Sequence, residues 1–378
     1  MNFNQLTKVL SITTLIFVNI FHTNAQSLNS DIQTRSNYAA ISTAFPFLRV
    51  QADARSGAMG EAGVAVSPDA NALSINPSKL VFLENNSGVS MSYNPWFKNI
   101  VDDMNLTYLS GYLNDGIQAI GASVRYFSVG EVDYVNDQAT TIGRLHPIEY
   151  ALDVSYARRL GPGFSIASTL RFVQSRLELN EQQTGMAASG AALLVDISAY
   201  MASEKELFGN GTVISGGINI SNLGPSLKDS YAERKAPMPA NLRIGGAAST
   251  NLDDFSQLTF AVDLNKLLVP IYTSSFPASI LNSFRDAAGG FKEELAEISI
   301  SAGLEYCFQQ KFALRTGYIY EHPDKGNRRY MSFGAGIKFE HWNADLAYIP
   351  TSIEKSAMAN TLKISLMFNF GSHLATYR

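Results

Sequence analysis

The sequence predicts an all-β chain: a transmembrane antiparallel β-barrel of about 14 strands in an outer membrane, with an N-terminal plug segment. Three observations carry that prediction. An export signal opens the chain, strands of period two and membrane-crossing length fill it from Gly88 onward, and the connections between those strands alternate between short and long. After the signal, no apolar run is long enough to cross a bilayer as a helix, although 46% of the residues are hydrophobic. An exported chain of this kind is either soluble or a barrel, and the strand lengths favour the barrel.

The export signal occupies residues 1–25. Lys8 lies in a short polar start, Val9 to Phe21 form an apolar run, and Thr23-Asn24-Ala25 precede Gln26, which places cleavage after Ala25. The apolar run is shorter than the ~20 residues that a membrane-spanning helix needs. Residues 26–87 then read as a periplasmic and plug segment, 88–370 as the barrel and 371–378 as a periplasmic tail.

Within the plug segment, Asp53 to Leu83 is dense in small residues, among them Gly57, Ala58, Gly60, Ala62, Gly63 and Ala65, which let backbone pack against backbone. Asn71 and the pair Asn76-Pro77 close it with turn-initiating chemistry. A small-residue, turn-rich piece suits a plug inside a barrel mouth better than a strand in its wall; an ordinary periplasmic loop is the alternative. Arg49, Asp53, Arg55, Glu61 and Asp69 supply charge that can pair with the lumen.

The strands follow in order. They are read at Val89 to Tyr93, Met104 to Tyr112, Gln118 to Val129, Glu149 to Arg159, Phe164 to Leu179, Ala192 to Met201 and Thr212 to Leu223. The second half continues at Ala240 to Thr250, Gln257 to Lys266, Glu297 to Phe308, Phe312 to Tyr320, Tyr330 to Phe339, Trp342 to Pro350 and Thr361 to Phe370. In the ninth, Leu258, Phe260, Val262 and Leu264 alternate with Thr259, Ala261, Asp263 and Asn265. The last alternates Leu362, Ile364, Leu366, Phe368 and Phe370 with polar and small residues, as the aromatic-ended closing strand of a barrel does.

Leu113 to Gly116, Leu160 to Gly163, Gln309 to Lys311 and Glu340-His341 are tight connections, and Ser203 to Gly211 and Asn251 to Ser256 are moderate. Glu131 to Ile148, Asn180 to Ala191, Gly224 to Pro239 and Leu267 to Ala296 are long. The short set belongs in the periplasm with both mature termini, and the long loops outside the cell. Tyr93, Trp96, Phe97, Tyr112, Tyr320, Tyr330 and Trp342 are candidates for the interfacial aromatic girdles.

Inward faces are expected to hold Asp153, Arg171, Asp263, Asn265, Glu305, Arg315, Asp345 and Lys363, paired as internal salt bridges with one another and with the plug. The loop Leu267 to Ala296 can form two short helices, Ser279 to Arg285 and Phe291 to Leu295, with Ile280, Leu281, Phe284, Phe291 and Leu295 on an apolar side. Such a loop either covers the barrel top or docks with a protein partner.

Catalytic and metal signals are weak. His146, His322, His341 and His373 stand apart without ligand spacing, and no G-x-S-x-G stretch supports a lipid hydrolase. Gly60 to Val66 does not complete a dinucleotide fingerprint. Cys307 is the single cysteine, so no intramolecular disulfide forms, and a net charge of -4 argues against nucleic acid. No cofactor and no metal is expected.

The Asp53 to Leu83 segment, the stretch Ser92 to Gly111 (SYNPWFKNIVDDMNLTYLSG), the sequence Pro239 to Ala247 (PANLRIGGA) and the closing strand resemble the PorV family, the outer-membrane barrel of the type IX secretion system. The first of these is shared in part with the PorQ relatives and FadL-like proteins. The resemblance implies a FadL-like barrel without enzymatic activity, set in outer-membrane lipid. It would accept cargo proteins bearing a C-terminal secretion domain from a SprA-like translocon barrel and pass them to a PorU-containing attachment complex. The resemblance also makes Asn71, Asn76 and Pro77 structural positions. A FadL-like channel for small hydrophobic molecules is the alternative, with an envelope-lipid hydrolase behind it.

Overall fold

The computed structural model describes residues 43–95, 103–135, 141–176, 189–207, 210–228, 235–269, 278–287, 290–350 and 360–371. The chain divides into Met1–Ala39, which lies outside the described residues with the expected signal peptide, and Ala40–Arg378. The expected tail after Gly371 is also outside them.

Residues with alternating side-chain character extend into β1 (Ser87–Pro95), β2 (Asn105–Asn114), β3 (Gln118–Ser128), β4 (Val132–Val135), β5 (Thr141–Leu145), β6 (Ile148–Gly161), β7 (Phe164–Arg176), β8 (Ser189–Leu207) and β9 (Asn210–Leu223). There follow β10 (Leu227–Lys228), β11 (Lys235–Ala236), β12 (Asn241–Asn251), β13 (Ser256–Leu267), β14 (Ile298–Phe308), β15 (Phe312–Tyr320), β16 (Arg329–Phe339), β17 (Trp342–Ile349) and β18 (Thr361–Phe370). Fourteen of these close into one barrel of antiparallel neighbours, with β1 pairing to β18 from Ser87↔Phe370 to Tyr93↔Ile364. Closure satisfies the backbone of every wall strand on both sides, as a bilayer demands. All fourteen strands expected from the sequence are present.

The wall is inside-out relative to a soluble protein. On β18, Leu362, Ile364 and Leu366 are 41%, 40% and 49% exposed, whereas Lys363 and Ser365 are at 0%. The same alternation runs along β3, where Ile120, Val124 and Tyr126 face out and Ser123 and Arg125 face in. Apolar side chains turned outward all round a closed sheet mark a lipid-facing surface.

The strands meet in two kinds of connection. One end of the barrel carries the short turns, including Gln309–Lys311, where Gln309 and Gln310 both adopt positive φ. The other end carries the long loops, within which β4 pairs with β5 and β10 with β11 as small separate hairpins. Both hairpins fall in segments that the sequence predicts as loops, because runs of two to five residues are too short to show a period. Ser203 to Gly211, predicted as a moderate connection, is a tight one, because β8 continues to Leu207 and β9 begins at Asn210. Since Ser87 lies opposite Phe370, the wall begins and ends at the short-turn end.

Two of the expected girdle residues point the other way. Tyr112 and Tyr330 are each 4% exposed and face the lumen, where Tyr112 bonds to Asn369 and Tyr330 to Glu61. Tyr93, Tyr320 and Trp342 do face outward, and Trp96 and Phe97 lie outside the described residues. Among the described residues, the wall ladders shift register between Arg159 and Gly161, next to the β6–β7 turn, and between Val195 and Ile197. At the second, β9 carries the extra residue of a β-bulge, Ser221 and Asn222 together standing against Asp196, whose carboxylate accepts the backbone N–H of Asn222, at φ 60°.

Candidate functional site: a plugged lumen and an inverted helix

The plug folds from short helical turns whose caps are written in the sequence. Asp53 accepts from Ser56 N ahead of Ala54–Ala58, and Asp69 accepts from Asn71 N ahead of Ala70–Ser74. Asn76-Pro77 is not a simple turn: Asn76 caps the 3-10 helix Pro77–Phe82 by accepting from Ser78 N, and Pro77 takes the first helical position, where its missing N–H costs nothing.

A segment with so little regular structure leaves many buried backbone groups, and the wall supplies their partners. Ser365 Oγ accepts from Ala54 N (2.8 Å), and Asp263 Oδ2 accepts from both Gly63 N (2.8 Å) and Val64 N (3.0 Å). Ser215 donates to Ala65 O (2.7 Å), Asn219 to Ile75 O (2.7 Å), Ser165 to Ser78 O (2.6 Å) and Lys363 Nζ to Gln51 O (2.9 Å). From the plug side, Asn71 accepts from Ser90 Oγ (2.6 Å), and Asn76 donates to Val64 O (2.9 Å) and Ala199 O (3.1 Å).

Gly57 and Gly63 are buried in this contact layer. Gly60 adopts φ +65° against the wall, and a Cβ there would collide with the backbone of Tyr318, just as one at Gly317 would collide with Met59 and Gly60. Two glycines facing each other let plug and wall backbones touch.

Ion pairs fasten both faces of the plug. Toward the short-turn end, Arg55 bridges Asp69 (3.1 Å) and Glu305 (2.8 Å), and Arg315 joins Glu305 to Asp345. Toward the long-loop end, Glu61 takes Arg328 (3.1 Å) and Tyr330 OH (2.7 Å), while Arg328 also holds Glu321 (3.1 Å). Burial pushes the Glu61 carboxyl up, but Arg328, Lys363 and the Tyr330 hydroxyl outweigh it and hold the group below the usual carboxylate range. In the wall, Arg171 sits between Asp153 and Asp196. All eight expected lumen residues face inward, and Asp196, Glu321, Arg328 and Arg125 join them unannounced.

The long loop before β14 has an unusual polarity. Its helices are Ala278–Asn282 and Phe291–Ala296. Lys325 Nζ bonds Glu293 (2.6 Å) and Glu297 (3.0 Å), and Lys266 Nζ bonds Glu294 (2.9 Å) and Glu297 (2.7 Å), so the charged side of the second helix faces the barrel. Its apolar side faces away: Phe291 is 78% exposed, Leu281 75% and Leu295 52%, with Phe284 also exposed and Ile280 half-buried. Phe284 additionally receives Lys266 Nζ over its ring at 5.7 Å. An amphipathic helix normally buries its apolar stripe.

The family model described as type IX secretion system protein PorV matches residues 33–274, more than half of the chain. No curated protein matches it. Among solved structures, a TodX deltaS2S3 mutant monoaromatic hydrocarbon channel is similar at 12% identity and a TM-score of 0.54, over 84% of this chain and 99% of that one. The Pseudomonas putida toluene transporter TodX is similar at 12% identity and a TM-score of 0.50, over 88% and 98%. A Pseudomonas aeruginosa FadL homologue is similar at 9% identity and a TM-score of 0.48, over 88% and 100%. At such identities the first two show a shared fold and nothing finer. With that family match over residues 33–274 and a plugged barrel of fourteen strands, the chain belongs to the PorV family of type IX secretion system proteins.

Proposed function

We propose that this barrel is a non-enzymatic carrier: it receives cargo proteins bearing a C-terminal secretion domain from a SprA-like translocon and delivers them to a PorU-containing attachment complex at the cell surface. The observation that carries the reading is the inverted helix, whose Phe291 and Leu295 stay solvent-exposed, as Leu281 of the preceding helix does, while buried ion pairs hold the polar side inward. Exposed apolar side chains on a clamped support suit protein docking better than covering. Gly57, Gly60, Gly63, Asn71, Asn76 and Pro77 serve this role indirectly, as the seat of the plug. In this reading the signal is removed after Ala25, the short turns and both mature termini face the periplasm, and the helix stands outside the cell.

The alternative, a channel for small hydrophobic molecules, draws on the fold shared with the aromatic-hydrocarbon channels. It asks for an apolar interior and an exit. The chamber between plug and wall at the long-loop end is lined mostly by charged and amide side chains, and the ladders from β1 through β2 and β3 to β6 run without a register shift until the last turn of β6. The test is the location of a secretion-domain cargo in cells lacking the gene, with the intact barrel and a barrel lacking residues 279–295 restored in parallel. Cargo retained in the envelope and released only by the intact barrel supports the carrier; normal surface delivery without the gene refutes it.

A further inference from the structure

Between plug and wall, at the long-loop end, lies a chamber of about 80 Å³. At roughly 10–15 Å³ of such space per water, it has room for a small hydrated group. Five cationic side chains line it, Arg49, Arg125, Arg243, Lys325 and Arg328, against three carboxylates, Glu61, Glu297 and Glu321. The carboxylates are already engaged: Glu61 and Glu321 by Arg328, and Glu297 by Lys266 and Lys325.

Three arginines remain under-compensated. Arg125 is 3% exposed; its Nη1 donates to Leu48 O (2.9 Å) and its guanidinium lies 5.6 Å from the Tyr108 ring, but its Nε has no partner and no carboxylate among the described residues forms an ion pair with it. The contrast is Arg171, equally buried and flanked by Asp153 and Asp196. Arg243 reaches Asp263 only at 3.8 Å, and that carboxylate oxygen already accepts two plug amides. Arg49 meets Glu321 only at 3.5 Å, in competition with Arg328. A buried guanidinium left without an anion is costly, so a site that keeps one has use for an anion from outside.

We infer that this chamber is a binding site for a small hydrophilic anion, a carboxylate or a phosphate, gripped by Arg125 with Arg243 and Arg49 around it. Asn219 and Asn265 also line the chamber, and the buried Oδ1 of each has no partner. Apolar lining is limited to Leu48, Val50, Ile75 and Leu267, so an anion with a long hydrocarbon tail is a poor fit. This inference does not depend on the carrier reading.

The test is isothermal titration of the purified full-length barrel in detergent with inorganic phosphate and with acetate, at constant ionic strength, and with chloride as the control. The expected result is saturable one-site binding of phosphate or of acetate; which of the two binds tells free phosphate chemistry from that of a carboxylate-bearing group. Arg125→Met should abolish binding. Because that variant removes a buried anchor of Leu48, the double variant Arg49→Gln/Arg243→Gln, which keeps Arg125, should independently weaken it at least tenfold. Lys311→Gln, at the short-turn end, should bind as the parent does. Heats no different from chloride for both anions, undiminished affinity in the double variant, or an equal loss in Lys311→Gln would each overturn the site.

Discussion

Replacing Lys325 by Met should release the helix Phe291–Ala296 while leaving the barrel closed. Lys325 is 4% exposed at its side chain and holds Glu293, at 2%, and Glu297, at 4%. Burial alone would lower the pKa of the lysine, but its hydrogen bonds to the two glutamates outweigh that and raise it, so the ammonium is fully charged at neutral pH. Removing one partner of a buried pair costs about 3–5 kcal/mol, because the carboxylates stay behind uncompensated. Glu297 keeps Lys266 at 2.7 Å, and the network lies in loops near the mouth, so the low end applies. About 3 kcal/mol corresponds to a roughly 150-fold rise in the open population of the helix. Hydrogen exchange of amides 291–297 reads that change directly, and mobility of the unheated protein in detergent gels reports whether the barrel is intact. Unchanged protection at 291–297 with a closed barrel would refute the clamp, and with it the claim that ion pairs hold the apolar side outward.

The docking surface itself can be removed without touching the clamp. Phe291→Ser with Leu281→Ser should leave barrel and helix in place but weaken binding to a secretion-domain cargo on the order of 100-fold, from about 1–2 kcal/mol of lost burial per side chain; equal affinity in a pull-down or titration would discard the surface. Gly317→Val should push the plug off the wall, at about 1–3 kcal/mol or more for overpacking, and protease sensitivity near Met59 would report it. Acid should loosen the plug. The pKa of Glu61 lies below its ordinary 4.5 in the folded protein, so its stabilising share is complete above that pH and is lost as the pH falls through the lower folded value. Arg328→Met should move that loss to higher pH, and an unmoved plug-release profile would count against the pair. Finally, cysteines placed at positions 136 and 229, outside the described residues, should react with an impermeant thiol reagent on intact cells; protection of both would reverse the orientation proposed above.

The barrel was legible because its signal repeats: fourteen runs of period two each had to keep apolar residues toward lipid, and the short and long connections alternated as the strands did. Parity failed at Tyr112 and Tyr330 for a physical reason. On β2 the lumen face carries Leu106, Tyr108 and Tyr112 while the lipid face carries Leu109 and Leu113, so both faces read as apolar and the register is hidden. The lumen charges on long clean strands, such as Asp263, Arg315 and Lys363, were readable from alternation alone. Asp196 keeps the same alternation, buried between outward Val195 and Ile197, and was equally readable; Glu321 and Arg328 were not, because they sit in a loop whose partner in the plug is more than 250 residues away in sequence. For the helix at Phe291, sequence identified the apolar stripe but not its direction. That direction is decided by Lys266 and Lys325, one on a strand and one in a distant loop.

The plug's attachment bears on where cargo travels. Its backbone is held by Ser165, Ser215, Asn219, Asp263, Lys363 and Ser365 from four different strands, and its charges by Arg328 and Glu305. A plug that left the lumen would strand these groups together, and each buried polar group without a partner costs about 1–3 kcal/mol. A route through the lumen therefore needs a large compensating gain, whereas a route over the long-loop end needs none. Locking the plug separates the two. With Cys307 replaced by Ser, cysteines at Ala65 and Ser215, whose hydrogen bond spans 2.7 Å, can be joined by a short bifunctional thiol reagent. A carrier that works from its loops should deliver cargo as before when cross-linked; delivery that stops on cross-linking and resumes on reduction of a cleavable linker would show that the plug moves, and would return the lumen to the centre of the mechanism.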